Sequence, residues 1–209
     1  MRKGIGIGCI ILGVICLLGA MGFVIYNRWE TDHAAKTTQS MLEDVQIAIE
    51  ENKTNTLFQS SGSELDGLQN NPLGTTDMAT VQVNGYDCIG ILSVPVLELD
   101  LPVLTDWSYG KLKKAPCLYY GSYYDSDFVI AAHNYRAHFG RLSELQPGDM
   151  VVFTDANGVA HYYEVALLET LPKEATEEMI TSGFDLSLYT CTRGGGSRVT
   201  VRCTAVNPR

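Results

Sequence analysis

Cys191 closes the run Leu186-Ser187-Leu188-Tyr189-Thr190-Cys191, and three glycines, 194 to 196, separate it from a second β-favouring run near whose start Arg198 stands. That pattern predicts strand, glycine loop, strand. A thiol at a strand end beside such a loop is held by rigid backbone yet stays partly exposed, which a nucleophile requires and a packing cysteine does not. If the two strands pair, the Arg198 guanidinium lies near the sulfur, where a fixed positive charge favours thiolate and can hold a substrate carbonyl. A cysteine nucleophile also calls for a proton-transfer partner, and the chain offers His33, His133, His138 and His161. His133 closes the apolar run 128–132 and opens a polar segment, so it too is expected at a strand end, 58 positions before the cysteine. Reactive groups at strand ends far apart in sequence are what a site assembled by the fold looks like. His138 lies in the same polar segment and competes for the role. His161 reads as a strand-face residue, and His33 stands close to an apolar amino-terminal run.

These residues resemble the sortases, membrane-anchored cysteine transpeptidases of Gram-positive bacteria. The family pattern is a strand ending Thr-Leu-x-Thr-Cys, an arginine opening the next strand, and an upstream strand ending in histidine, often as Gly-His-Asn. Here Ser187-Leu188-Tyr189-Thr190-Cys191 carries Ser for the first Thr, and Ala132-His133-Asn134 carries Ala for Gly. The departures bear on subclass alone, a class B-like member being one option. Ile89-Gly90-Ile91-Leu92-Ser93-Val94-Pro95 is similar to the first barrel strand of the family, so the resemblance covers residues 84–209. It favours His133 over His138 and Arg198 over Arg202, which stands four positions further along the same strand face. Arg193, two residues after the cysteine, is similar to a Cys-x-Arg pattern of the L,D-transpeptidases, but no His-Gly pair occurs upstream.

The resemblance implies cleavage of a Leu-Pro-x-Thr-Gly-like sorting signal at the carboxyl ends of surface proteins. Cys191 would form a thioester, His133 would move the proton, and Arg198 would steady the oxyanion or the signal. By the same resemblance Thr190 and Asn134 are placed on the substrate. The acceptor is a peptidoglycan-precursor amine or a pilin lysine, with wall anchoring favoured because the nearest thing to an Asp-Pro-aromatic lid motif is Asn71-Pro72-Leu73. No metal and no organic cofactor is required. The rival of another class is a membrane-tethered β-domain that binds wall or protein ligands without catalysis, with Cys191 structural.

The elements that must position these groups are legible in outline. Residues 5–26 contain no charge and nothing more polar than cysteine, glycine and a closing tyrosine. At about 1.5 Å per residue such a helix is about 33 Å long, enough for a bilayer core of about 30 Å and longer than the apolar region of a cleaved signal peptide. Residues 1–30 are therefore expected to be a cytoplasmic stub and transmembrane anchor, with the catalytic part extracellular as in the resembling family. Residues 31–53 carry Met41, Leu42, Val45, Ala48 and Ile49 at helical spacing and read as a helical stalk whose stripe packs on the domain. Residues 54–83, rich in Ser, Gly, Asn and Thr, read as a linker.

From residue 84 the chain reads as mainly β, with strands expected at 88–94, 97–104, 117–120, 128–133, 150–154, 159–168, 186–191 and 199–206. With the resemblance this predicts an eight-stranded β-barrel with short helices at 139–145 and 175–180, the second walling the substrate groove. A formal charge of −9 leaves no basic footprint for nucleic acid. Cys88, Cys117 and Cys203 each lie in a strand-like run, where packing is the default.

Overall fold

Apolar-polar alternation broken by turn residues gives nine strands among the described residues, arranged as a barrel with one strand added at the side. The structure is a computed structural model that describes residues 2–60 and 78–207, with side chains at 12–26, 33–54 and 78–207. The strands are β1 (Val81–Val83), β2 (Tyr86–Val94), β3 (Leu99–Leu104), β4 (Cys117–Tyr120), β5 (Phe128–Ala131), β6 (Met150–Asp155), β7 (Ala160–Pro172), β8 (Leu186–Cys191) and β9 (Ser197–Ala205). The helices are α1 (Arg2–Ser60), α2 (Tyr109–Leu112) and α3 (Thr176–Ile180), with 3-10 turns at Pro95–Leu97 and Leu142–Glu144. The sheet runs β1-β2-β3-β4-β5-β8-β9-β7-β6, and β6 pairs back onto β2. Strands β2 to β9 therefore close as an eight-stranded barrel, and β1 is a short addition to the outer side of β2.

Sequence pattern located the strands well and their ends less well. β1 falls inside the expected linker, because three residues carry too short a pattern to register. The strand expected from residue 97 starts at Leu99, since Pro95 initiates a 3-10 turn that Glu98 ends in the left-handed conformation, φ 53°. β7 continues to Pro172 because β9 pairs with it from Tyr163 to Pro172. Asn157-Gly158 makes the hairpin between β6 and β7, with Gly158 at φ 79° and the Asp155 carboxylate accepting from the amides of Asn157 and Val159.

Inside the barrel, Leu92, Val103, Phe128, Ile130, Phe139, Phe153, Leu186, Leu188 and Val201 form the main core. A second core lies outside the barrel wall, beneath α1. There Met41, Leu42, Val45 and Ile49 meet Val81, Val83, Cys88, Ile91, Leu104, Cys117 and Ala131. The stripe read at 41–49 thus packs on the barrel, and α1 runs unbroken from Arg2 to Ser60. Asn52 Nδ2 donates to the Ala156 carbonyl and Asn84 Nδ2 to the Asp44 carboxylate, adding polar ties along the helix.

The helical turns expected to span the bilayer belong to α1, and Leu12, Ile15, Leu18, Met21, Phe23 and Ile25 are all exposed there. Among the described residues no helix is long and apolar enough to cross a membrane, and the side chains of residues 1–11 lie outside the described ones. Residues 61–77, most of the expected linker and including Asn71-Pro72-Leu73, also lie outside them.

Candidate active site

Register brings the reactive groups together. β8 lies between β5, which runs parallel to it, and β9, which runs antiparallel. Ala131 is level with Tyr189, so two residues further along each chain His133 and Cys191 stand at the same height. On the other side Cys191 is paired directly with Arg198. Adjacent strands are about 4.8 Å apart, and the thiol is thereby flanked by an imidazole on one side and a guanidinium on the other. All three residues are half-buried and line one cleft of about 160 Å³.

Side-chain and backbone bonds hold these strand ends in place. The Ala132 amide donates to the Tyr189 carbonyl at 3.2 Å, and the Thr190 hydroxyl donates to the Ala132 carbonyl at 2.8 Å. The segment entering His133 is thereby pinned to the segment entering Cys191. Beyond the cysteine, Thr192 and Ser197 close the glycine loop through Thr192 N to Ser197 O at 2.9 Å, with Gly194 and Gly195 at φ 92° and 73°. Arg198 Nη1 donates to the carbonyls of Gly195 and Ser197, both at 3.2 Å, which fixes the guanidinium at the cleft mouth.

Other expected positions fall elsewhere. Thr190 is buried and turned to the barrel interior by strand alternation, so its hydroxyl serves the backbone of Ala132 and does not line the cleft. Asn134 is exposed and also lies outside the lining. Arg193 is exposed on the loop. Arg202, expected as a surface charge or as a substitute for Arg198, is 1% exposed, because α3 covers its strand face. Its guanidinium donates to Glu169 Oε1 and Ser187 Oγ, both at 2.8 Å, and to the carbonyls of Glu178 at 2.7 Å and Met179 at 3.2 Å.

Among the histidines, His138 is wholly buried and hydrogen-bonds Thr38 of α1. Burial, with the nearby His133 adding to it, pushes its pKa down to about 4, so it stays neutral where a general acid must be charged. His161 Nε2 lies 3.2 Å from Asp155 Oδ2, away from the cleft. Burial pushes the thiols of Cys88, Cys117 and Cys203 up to about 12, leaving them as packing residues.

The rest of the cleft was not anticipated as a set of residues. Trp107, Tyr109 and Tyr119 form one wall, and Pro172, Ala175 and Met179 the other. Rings continue from the cysteine outwards, with Tyr189 edge-on to Tyr119 at 5.2 Å and Tyr119 to Trp107 at 5.9 Å. Only the α3 wall had a sequence signal, the helical stretch before Ser182-Gly183. The aromatic wall comes from a loop, the first residue of α2 and strand β4, none of which carries a motif. An apolar, aromatic cleft lined also by one thiol, one imidazole and one guanidinium suits acyl transfer from an extended peptide.

Comparison with known proteins gives the family and the fold. The family model for the sortase domain matches residues 92–206. The fold is similar to a pilus-related sortase C of Group B Streptococcus, with 21% identity and a TM-score of 0.56 over 79% of this chain and 96% of that one. It is similar to a Clostridium perfringens sortase D5 transpeptidase, with 17% identity and a TM-score of 0.55 over 82% and 97%. Sortase A from Corynebacterium diphtheriae aligns at 20% identity and a TM-score of 0.54, covering 59% of this chain, which spans 63% of the length of that protein. The curated proteins gave no match.

Proposed function

The chain belongs to the sortase family, and from that premise we propose that it is a cysteine transpeptidase that cleaves a Leu-Pro-x-Thr-Gly-like sorting signal and passes the acyl group to an amine. The single observation that carries the reading is the convergence of Cys191, His133 and Arg198 on one cleft. The Cys191 sulfur attacks the carbonyl of the scissile bond, and the Arg198 guanidinium faces the oxyanion that develops. His133 gives its proton to the departing amine as the thioester forms. In the second half-reaction an incoming amine attacks the thioester, His133 takes its proton, and the thiolate leaves. Thr190 acts on the site indirectly, by holding the backbone that enters His133.

The substrates of this reading are surface proteins with carboxy-terminal sorting signals, and the acceptor is a wall-precursor amine, with a pilin lysine as the alternative. The chain is read as a single-pass membrane protein of a Gram-positive cell with its barrel outside. Support comes from the uncharged run at 5–26 and the all-round exposure of apolar side chains on the described part of that helix.

The test uses the full chain in detergent with a panel of sorting-signal peptides and triglycine as amine. The expected result is cleavage and transfer through a mass-detectable thioester at Cys191. Cys191→Ala is expected to abolish it, and His133→Ala to lower turnover by at least about 10²-fold, the upper range of a single proton-transfer group being about 10⁴-fold. Transfer that persists in Cys191→Ala would sink the enzyme reading.

A further inference from the structure

The loop 133–140 is closed on itself and tied down at two places. Within it the Phe139 amide donates to the His133 carbonyl at 3.2 Å, and the amides of His138 and Gly140 both donate to the Tyr135 carbonyl at 2.9 Å. The coil is tight enough that a Cβ on Gly140 would stand 2.5 Å from the Asn134 carbonyl oxygen and 2.7 Å from that of Tyr135. Rings meet at tilted angles along it, His133 to Tyr135 at 5.1 Å and Tyr135 to His138 at 5.5 Å. One tie is Phe139, buried in the barrel core. The other is His138, whose Nε2 lies 2.8 Å from the Thr38 hydroxyl, a hundred residues earlier on α1.

Chemistry fixes the sense of that second bond. Thr38 Oγ1 also lies 2.6 Å from the Lys114 carbonyl and 2.9 Å from that of Ala34, and its one proton must go to a carbonyl. Its oxygen then accepts from His138 Nε2–H. The neutral His138 ring keeps Nδ1 bare, and Nδ1 is buried with no hydrogen-bond partner among the described residues. A second proton there would have nowhere to bond and would be opposed by charge on His133. The ring is thus a neutral strut between α1 and the loop that carries His133.

We propose that His138 is a positioning residue for His133 and that Thr38 anchors it, so that docking of α1 on the barrel sets the attitude of the imidazole in the cleft. This rests on the reading of His133 as the proton-transfer group. A displacement of about 1 Å in a reacting group can cost about 10²-fold in rate, so loosening one of two ties is expected to be felt in turnover. Substrate binding is not touched, because Thr38 and His138 do not line the cleft.

The experiment compares Thr38→Val and Thr38→Ser in the full chain in detergent, well below their melting temperatures. Two readouts are taken: steady-state kinetics on a sorting-signal peptide that the parent chain cleaves, and the pH profile of Cys191 alkylation by iodoacetamide, which needs no peptide. Thr38→Val is expected to lower kcat about tenfold with KM within about twofold and to displace the alkylation profile, and Thr38→Ser to restore both. A folded Thr38→Val with parental kcat and alkylation profile overturns the proposal, as does a loss that serine fails to restore. Should Thr38→Val not fold, His138→Gln, which keeps a donor toward Thr38, is expected to retain at least about five times the kcat of His138→Leu, and equal values overturn it. Parental activity in His133→Ala would instead remove the reading of the site on which the proposal stands.

Discussion

At the scale of single residues, two histidines five positions apart are given opposite characters by their surroundings. His133 opens on the cleft, whereas His138 has no exposure at all and keeps its proton count fixed. The consequence for folding has a definite sign. An unfolded chain protonates this ring near pH 6.5, while the folded ring refuses the proton until about pH 4. Between those values the unfolded state binds more protons, so stability falls as pH drops through that window and is complete above it. The loss reaches about 3 kcal/mol at most, from about 1.4 kcal/mol per pKa unit. Urea denaturation of the parent chain and of His138→Gln at pH 7 and pH 4.5 checks this: the variant is expected to lose markedly less stability on acidification. Cys191 and His133 were legible as residues because strand ends can be read from local pattern. The difference between the two histidines was not, since it depends on what α1 lays over one of them.

At the scale of elements, α3 is five residues long and cannot hold itself as a helix. Arg202 supplies what the helix lacks by capping the carbonyls of Glu178 and Met179, while Glu169 balances its charge from β7. Since Met179 and Thr176 line the cleft, this arginine acts on the cleft wall from behind. Arg202→Met is expected to cost about 3 kcal/mol of stability, towards the lower end for a broken buried pair because Glu169 is 31% exposed. It is also expected to raise KM for a cleaved peptide more than it lowers kcat, and the two constants measured side by side decide this. A parental KM would show that α3 holds its place without the arginine. In the sequence, Arg198 and Arg202 differ by two full repeats of a strand face and look equivalent. Only the packing of α3 over one of them separates a cleft residue from a buried clamp.

For the whole molecule, the event that creates the cleft is closure of the barrel, and closure is made where β2 meets β6. Gly90 sits at that seam with φ 153°, and a Cβ there would stand 2.1 Å from the Thr154 carbonyl oxygen and 2.9 Å from Asp155 Cα. Both obstacles are backbone, so neither can swing aside. Gly90→Ala is expected to destabilise the chain by more than about 3 kcal/mol, against about 1 kcal/mol for Gly148→Ala, where φ is 97° but nothing lies within 4 Å. Thermal unfolding of the two variants measures the difference, and similar melting temperatures would place the strain elsewhere than the seam.

The sequence by itself determined the strands, the apolar stripe of α1 and the placing of a thiol and an imidazole at strand ends, because each is a matter of periodicity or punctuation within about a dozen residues. Tertiary structure alone decided that Trp107 and Tyr119 wall the cleft, that Thr190 faces inward, that Arg202 is buried and that Thr38 reaches His138. Those facts depend on contacts between segments tens to a hundred residues apart, and barrel closure, which no local pattern encodes, is what brings such segments together.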